Sequence, residues 1–222
     1  MLVSHTKKFI YIKTVKTAGT SVEVALQDYC LPPDVKLPTE NVASDASISN
    51  YGIVGARGSD VAQKNEWYNH MPASQIKAQL EPEVWEGYTK ICNIRNPWDK
   101  TVSWFHFRNP GVKSLPEEEI VAAFRAFMNP EDDSNLTIGL DTHIYFINGV
   151  PVADEYIRYD TMSADYNRIC QKLDLDAPPI PELKRGPRGK KTVPYQKYYD
   201  TELRDRVADI YAKEIDAFGW SF

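Results

Sequence analysis

A lysine, a glycine and several hydroxyl side chains lie close together near the start of the chain. They occupy the segment Lys16-Thr17-Ala18-Gly19-Thr20-Ser21, between the apolar run Phe9-Ile10-Tyr11-Ile12 and a helical pattern that begins at Val22. A strand that ends in such a loop, with a helix directly behind it, aims successive backbone N–H groups and the positive end of the helix dipole at one spot. The pattern predicts a phosphate-binding loop. An ordinary strand–helix turn with a surface lysine is the alternative that these residues leave open.

A second group of residues follows a later apolar run, 88–94. Arg95 ends this predicted strand, and Asn96 can cap a helix whose first residue is Pro97. Arg95 therefore lies at the sheet edge where α/β proteins bind ligands, and Ser103 lies two turns along the helix. An arginine fork and a hydroxyl can hold one phosphate from two sides. Taken alone, the same residues also fit a helix-capping arginine and a solvated serine.

The candidate for proton transfer is a histidine between these two segments. His70 precedes Pro72, where a helix is predicted to begin. A neutral imidazole, with an ordinary pKa of about 6.5, can take a proton from a hydroxyl group near neutral pH. A polar loop histidine that caps the helix is the alternative. His106, His143 and Glu66 are further candidates for the base.

The two phosphate-binding segments resemble the motifs of sulfotransferases that use 3′-phosphoadenosine 5′-phosphosulfate (PAPS). Segment 16–21 is similar to their 5′-phosphosulfate loop, and 95–103 matches the 3′-phosphate pattern R-N-P-x-D-x-x-x-S. The resemblance continues through 156–160 to the final helix and the segment 218–220. It is closest to the carbohydrate-type, family-2-like sulfotransferases, although Val15 stands where many relatives have proline.

The resemblance implies PAPS as the sulfuryl donor, no required metal, and a hydroxyl-bearing acceptor that is favoured to be a carbohydrate. The residues that would hold the 5′-phosphosulfate are Lys16, Thr17, Ala18, Gly19, Thr20 and Ser21. Arg95 and Ser103 would hold the 3′-phosphate. Arg188 and Lys190, in a basic segment, are further candidates for the 3′-phosphate, with a solvated linker as the alternative. The catalytic residues would be Lys16, which stabilises the leaving phosphate, and His70, which acts as the base.

Two other classes of function stay open. A P-loop nucleotide kinase or phosphotransferase would need GxxxxGK followed by Ser or Thr, and the lysine here precedes the glycine instead. A non-catalytic module on the same fold would bind the nucleotide without transferring a group. The segments 31–69 and 129–150 are expected to shape the acceptor pocket.

The elements that must position these residues alternate along the chain. Apolar runs predict strands at 9–14, 51–55, 88–94 and 156–159. Helical patterns fall at 20–29, between Pro72 and Pro82, after Pro97, after Ser114, at 161–173 and at the C-terminal end. Alternation of this kind predicts an α/β fold with a central parallel sheet flanked by helices. The resemblance implies that this is the P-loop-NTPase-like fold of sulfotransferases. The length predicts one domain over residues 1–222.

Composition limits the remaining classes. The chain has 26 Lys and Arg against 31 Asp and Glu, so its net charge of −5 argues against a nucleic-acid-binding surface. Three distant cysteines, Cys30, Cys92 and Cys170, predict buried free thiols in a reducing compartment. Neither a signal-peptide core nor a run long enough for a membrane span is found. We therefore expect a soluble cytoplasmic protein; the oligomeric state is not predicted.

Overall fold

The computed structural model describes residues 1–39, 42–62, 64–128, 141–181, 183 and 193–222. They belong to two compact units, and neither unit is continuous in sequence. Unit 1 comprises Met1–Ile94 and His143–Leu183, and unit 2 comprises Arg95–Thr142 and Lys184–Phe222. The single domain predicted from chain length stays a prediction.

Unit 1 is built on a sheet of six strands. Its order is β3-β4-β1-β2-β5-β8, and a separate pair is formed by β6 and β7. The strands are β1 (Leu2–Ser4), β2 (Phe9–Ile12), β3 (Ser47–Ser49), β4 (Gly52–Val54), β5 (Thr89–Ile94), β6 (Phe146–Ile147), β7 (Val150–Pro151) and β8 (Glu155–Arg158). The predicted α/β class is confirmed by this sheet and the helices described below.

The sheet is mixed, so the prediction of a parallel sheet was wrong for half of it. β2, β5 and β8 run parallel, with Tyr11 opposite Ile91 and Cys92 opposite Tyr156. β1 pairs antiparallel with both β2 and β4, and β3 pairs antiparallel with β4. The physical reason is the length of the connections, because β1 and β2 are joined by four residues and a parallel crossover needs a dozen or more. The parallel half contains the strands that precede the candidate site residues.

The helices of unit 1 follow the predicted pattern, with shorter bounds at the loop. They are α1 (Gly19–Leu26), α2 (Ser59–Ala62), α3 (Ala73–Gln79), α4 (Pro82–Gly87) and α8 (Met162–Lys172), and the chain returns from unit 2 within α7 (Thr142–Tyr145). The strand predicted at 9–14 ends at Ile12, because the next two residues already belong to the loop. The helix predicted at 20–29 is α1 followed by a 3₁₀ turn at Gln27–Cys30.

The core of unit 1 is formed between the sheet and α1 and α8. Its buried side chains include Phe9, Val22, Leu26, Ile91 and Ile169. Cys30, Cys92 and Cys170 are buried and free, which confirms the prediction made from their spacing. Every residue of α1 is buried, so this helix has no solvent-exposed face. A charged side chain on α1 is therefore buried as well.

Unit 2 is helical in the part that the structure describes. Its helices are α5 (Pro97–Arg108), α6 (Glu117–Phe127), α9 (Thr201–Ile210) and α10 (Ala212–Phe218). Asn96 caps α5 as predicted, since its side-chain oxygen accepts from the backbone N–H groups of Trp98 and Asp99. The C-terminal helix predicted as one element is divided at Tyr211, which is buried in the core of this unit with Trp98, Phe105 and Phe124.

Candidate functional site: the loop after β2

The loop between β2 and α1 has an unusual backbone. Lys16 and Ala18 both have left-handed conformations, with φ of 60° and 62°, and α1 begins directly after Ala18. Turns of this kind can direct successive N–H groups toward one side of the chain, where they form a concavity for an anion. Phosphate binding by this loop stays a prediction.

A network of threonine and asparagine groups supports the loop from beneath. Thr14 Oγ1 donates to the carbonyl of Asn93 at 2.5 Å and lies 2.9 Å from Thr17 Oγ1. The Asn93 amide donates to the Thr17 carbonyl at 3.2 Å. The Thr17 side chain is buried in this network. We therefore assign the predicted anion contact of Thr17 to its backbone rather than to its hydroxyl group. Thr20 and Ser21, the other predicted hydroxyls, are mostly buried in the first turn of α1.

Gly19 is required where the loop meets α1. Tyr11 Oη donates to Asn93 Oδ1 at 2.7 Å and lies 3.1 Å from the Gly19 carbonyl. A Cβ atom at Gly19 would lie 3.0 Å from Tyr11 Oη and 3.1 Å from Lys13 Cγ, closer than ordinary van der Waals contact. The glycine therefore allows the loop to pack tightly against β2.

A buried charged cluster lies next to the loop. The carboxylate of Glu23, on α1, is fully buried and accepts from Lys13 Nζ at 2.7 Å and from Arg57 Nε at 3.0 Å. The ammonium group of Met1 also lies 2.7 Å from this carboxylate. Arg57 makes a further bond to Gln27 Oε1 at 2.6 Å, and Lys13 Nζ also donates to Asn69 Oδ1 at 3.2 Å. Lys13 and Arg57 are themselves almost completely buried.

This cluster carries more positive than negative charge. Lys13 and Arg57 alone place two cations against the single carboxylate of Glu23. Burial by itself would raise the pKa of Glu23, but the ammonium groups of Met1 and Lys13 and the Arg57 guanidinium hold it well below its usual value. A charged group is costly to bury unless it is paired, and Glu23 is a shared partner of both cations. Two cations beside the loop would also attract an anion that binds there.

His70 is held against the first residue of the loop. Its Nδ1 lies 3.1 Å from the Lys13 carbonyl. A carbonyl only accepts, so this contact assigns the proton to Nδ1 and leaves Nε2 as a proton acceptor. Burial, with Lys13 and the Met1 ammonium next in importance, lowers the pKa of His70 to about 3. The imidazole is therefore neutral near pH 7, and in the free protein it is a weaker base than an ordinary imidazole with a pKa of about 6.5.

The backbone around His70 explains how it reaches this position. Asn69 N–H donates to the Ala56 carbonyl at 2.9 Å, and Ala56 N–H donates to the Trp67 carbonyl at 2.9 Å. His70 itself is left-handed, with φ of 57°, and α3 begins three residues later. These bonds connect the segment before α3 to the residues that follow β4. The His70 ring therefore lies beside the end of β2.

The other half of the predicted site lies in unit 2. Arg95 Nε donates to Asp99 Oδ2 at 2.5 Å, and both side chains are mostly buried. Asp99 and Ser103 are four residues apart on α5 and therefore share one helix face. The Asp99 carboxylate thus holds the arginine that the motif assigns to the 3′-phosphate. Arg188 and Lys190 lie outside the described residues.

The other candidates for the base have different surroundings. His106 is buried within unit 2, where its Nε2 lies 2.8 Å from Tyr198 Oη, so it does not face solvent. His143 is exposed on α7. Glu66 is also exposed. His70 is thus the histidine in direct contact with the loop.

Sequence reasoning missed four residues that build the site: Lys13, Glu23, Arg57 and Asn93. One signal was available for Glu23, because it is a charged residue inside the otherwise apolar run Val22-Glu23-Val24-Ala25-Leu26. A lysine at the end of a buried strand, ten positions earlier, is its natural partner. Arg57 and Asn93 gave no comparable signal, since their contacts depend on the sheet.

Comparison of the chain with protein-family models, with curated proteins and with solved structures gave no significant match. Within the described ranges, no three His, Cys, Asp or Glu side chains are grouped as metal ligands. Among the helices that the structure describes, none has the length and apolar character needed to cross a membrane.

Proposed function

We propose that this protein transfers a sulfuryl group from PAPS to a hydroxyl group of an acceptor, with carbohydrate as the favoured acceptor class. The observation that carries the proposal is the β2–α1 loop. It combines two left-handed residues, two buried cations beside it that share one carboxylate, and a neutral histidine hydrogen-bonded to its first residue. The motif resemblance supplies the identity of the donor.

The loop residues suit a phosphosulfate group. Transfer of a sulfuryl group requires alignment of the attacking and leaving oxygens and stabilisation of the charge that develops on the leaving phosphate. When bound, PAPS supplies the activated sulfuryl group. The backbone N–H groups of 16–21 would hold its 5′-phosphosulfate, and the Lys16 ammonium would stabilise the developing negative charge. A lysine in this role acts as a point charge and needs no metal partner.

His70 suits the role of base. Its Nε2 can accept the proton of the acceptor hydroxyl, because the Lys13 carbonyl already occupies the Nδ1 side of the ring. The same bond fixes the orientation of the imidazole. Replacing His70 by Gln should lower kcat by about 10²- to 10⁴-fold while the affinity for the donor is retained, as measured by turnover and by nucleotide titration.

Arg95 and Ser103 remain the predicted ligands of the 3′-phosphate. Arg95 precedes α5 and donates to Asp99, which shares one face of that helix with Ser103. The assignment of Arg95 and Ser103 rests on the motif.

Transfer itself is the decisive test. The protein is incubated with labelled PAPS and a panel of sugars, phenols, lipids and peptides, and the products are read by mass. We expect label on one acceptor class and a loss of at least about 10²-fold in Lys16→Ala. Lys77→Ala serves as the matched control, because Lys77 is an exposed lysine on α3. Mg²⁺-dependent ATP binding without PAPS turnover would favour the kinase alternative, and nucleotide binding without any transfer would favour the binding module.

A further inference from the structure

The residue that connects the charged cluster to His70 is Lys13, and it does so through two different groups. Its carbonyl accepts from the His70 ring at 3.1 Å, while its ammonium group is held by Glu23 at 2.7 Å and by Asn69 at 3.2 Å. The backbone thus orients the imidazole, and the side chain places a positive charge close to it. These two effects act on the same ring from one residue.

We propose that Lys13 is a positioning residue for His70, and that its ammonium group disfavours proton uptake by the imidazole until an anion in the loop offsets that charge. The inference rests on the proposed function, since it assigns to the donor the additional role of activating the base. Lys13 touches no reacting atom in this scheme. It acts through the ring that it orients and through the charge that it contributes.

The charges around His70 give the scheme its direction. Lys13 and the Met1 ammonium disfavour the imidazolium, and Glu23 favours it. Arg57 neutralises part of the Glu23 charge, so it strengthens the effect of Lys13. An anion on the loop adds negative charge beside this cluster, and an opposite charge within about 4–6 Å favours a cation by about 1–3 pKa units. The imidazole therefore becomes a stronger base when the donor is bound.

The variant Lys13→Met separates the two contributions of Lys13. It keeps the carbonyl that orients the ring and removes the ammonium group. The Glu23 carboxylate keeps Arg57 as its partner in this variant, so folding is expected to survive. Glu23→Gln is its counterpart, because it removes the charge that favours the imidazolium. Lys77→Met is the matched surface control.

The experiment is an NMR pH titration of the histidine resonances, with inorganic pyrophosphate as the anion. The His70 signal is assigned from the spectrum of His70→Gln. In the free wild-type protein we expect no titration of His70 between pH 7 and 4.5. Saturation with pyrophosphate, and separately the Lys13→Met substitution, should each raise the His70 midpoint by about one pH unit or more and bring the start of its titration into this window. Lys77→Met should behave as the wild type, and Glu23→Gln, if folded, should move the midpoint downward.

The outcomes separate this inference from the proposed function. An unchanged His70 titration in Lys13→Met, or with bound pyrophosphate, would overturn the inference even if PAPS turnover were found. Failure of pyrophosphate to bind would overturn it as well. A His70 shift with pyrophosphate, together with no binding of adenosine 3′,5′-bisphosphate and no sulfuryl transfer, would retain the coupling of anion and histidine and reject the sulfotransferase proposal.

Discussion

Glu23 is the residue on which the charged cluster depends. Its carboxylate is fully buried and is contacted by both Lys13 and Arg57. Glu23→Gln removes the negative charge and leaves two buried cations without their counter-ion, which should lower the free energy of unfolding by about 3–5 kcal/mol in urea denaturation. Glu86→Gln is the control, because the Lys77–Glu86 pair is exposed and should contribute less than about 1 kcal/mol. Equal losses of unfolding free energy in Glu23→Gln and Glu86→Gln would show that the buried cluster stabilises the protein no more than an exposed ion pair does.

The same carboxylate predicts how stability changes with acid. Neighbouring cations hold the pKa of Glu23 below its usual value, so its contribution to stability is complete above the value of the unfolded chain, about 4.3. The contribution is lost as the pH falls through the lowered pKa of the folded protein. We expect the wild type to lose stability between neutral pH and pH 3 more steeply than Glu23→Gln, as measured by urea denaturation at each pH.

Arg95 allows a test of the 3′-phosphate assignment by the choice of nucleotide. If its guanidinium binds that phosphate, Arg95→Gln should weaken adenosine 3′,5′-bisphosphate by about 10-fold or more, because hydrogen bonds to charged groups contribute about 1.5–3 kcal/mol. The affinity for adenosine 5′-monophosphate, which lacks the 3′-phosphate, should stay unchanged. Calorimetric titration of both nucleotides measures the difference. Equal weakening of the two would show that Arg95 acts on the structure of α5 rather than on the phosphate.

The loop between β2 and α1 is closely packed at Gly19. An alanine Cβ at position 19 would lie 3.0 Å from Tyr11 Oη and 3.1 Å from Lys13 Cγ. We expect Gly19→Ala to lower the free energy of unfolding by about 1–3 kcal/mol and to weaken pyrophosphate binding, because both neighbours must move. Urea denaturation and calorimetry measure the two effects.

Gly87→Ala is the matched control for Gly19→Ala. Gly87 lies at the end of α4, and no atom comes within 4 Å of a Cβ added there. Alanine should therefore be neutral or stabilise the protein by up to about 1 kcal/mol. If the two glycine variants behaved alike, close packing around Gly19 would not be the cause.

At the scale of the whole molecule, the three cysteines report on the integrity of unit 1, to which all of them belong. Burial raises the pKa of the Cys30 and Cys170 thiols, so the reactive thiolate is disfavoured as well as shielded. We expect the native protein to resist a thiol reagent such as Ellman's reagent. Three thiols should react after unfolding in urea.

A single domain, as predicted from the chain length, should unfold as one cooperative unit. Thiol labelling and far-UV circular dichroism should then show one coincident transition. Rapid labelling in the absence of denaturant would contradict the burial of the thiols. A labelling midpoint at lower urea than the circular dichroism midpoint would show that unit 1 opens by itself.

What the sequence determined by itself is local. The strand–loop–helix succession at 9–26, the strand at 89–94 and the Asn96-Pro97 start of α5 follow from short-range periodicity and capping, and all three are confirmed. His70 could be singled out by its position between the two motifs together with the sulfotransferase resemblance, and its role as base stays a prediction. The sulfotransferase assignment is carried by the motifs and stays a proposal.

The tertiary structure alone decided how these elements act on one another. The antiparallel half of the sheet depends on β1, a strand of three residues that is too short to show a period. Glu23 meets Arg57, 34 positions away, and Tyr11 meets Asn93, 82 positions away. Local periodicity carries no information about such contacts, because pairing over these separations is set by strand order and register. The charges beside the loop, and the protonation state of His70 that depends on them, could therefore be derived only from the tertiary structure.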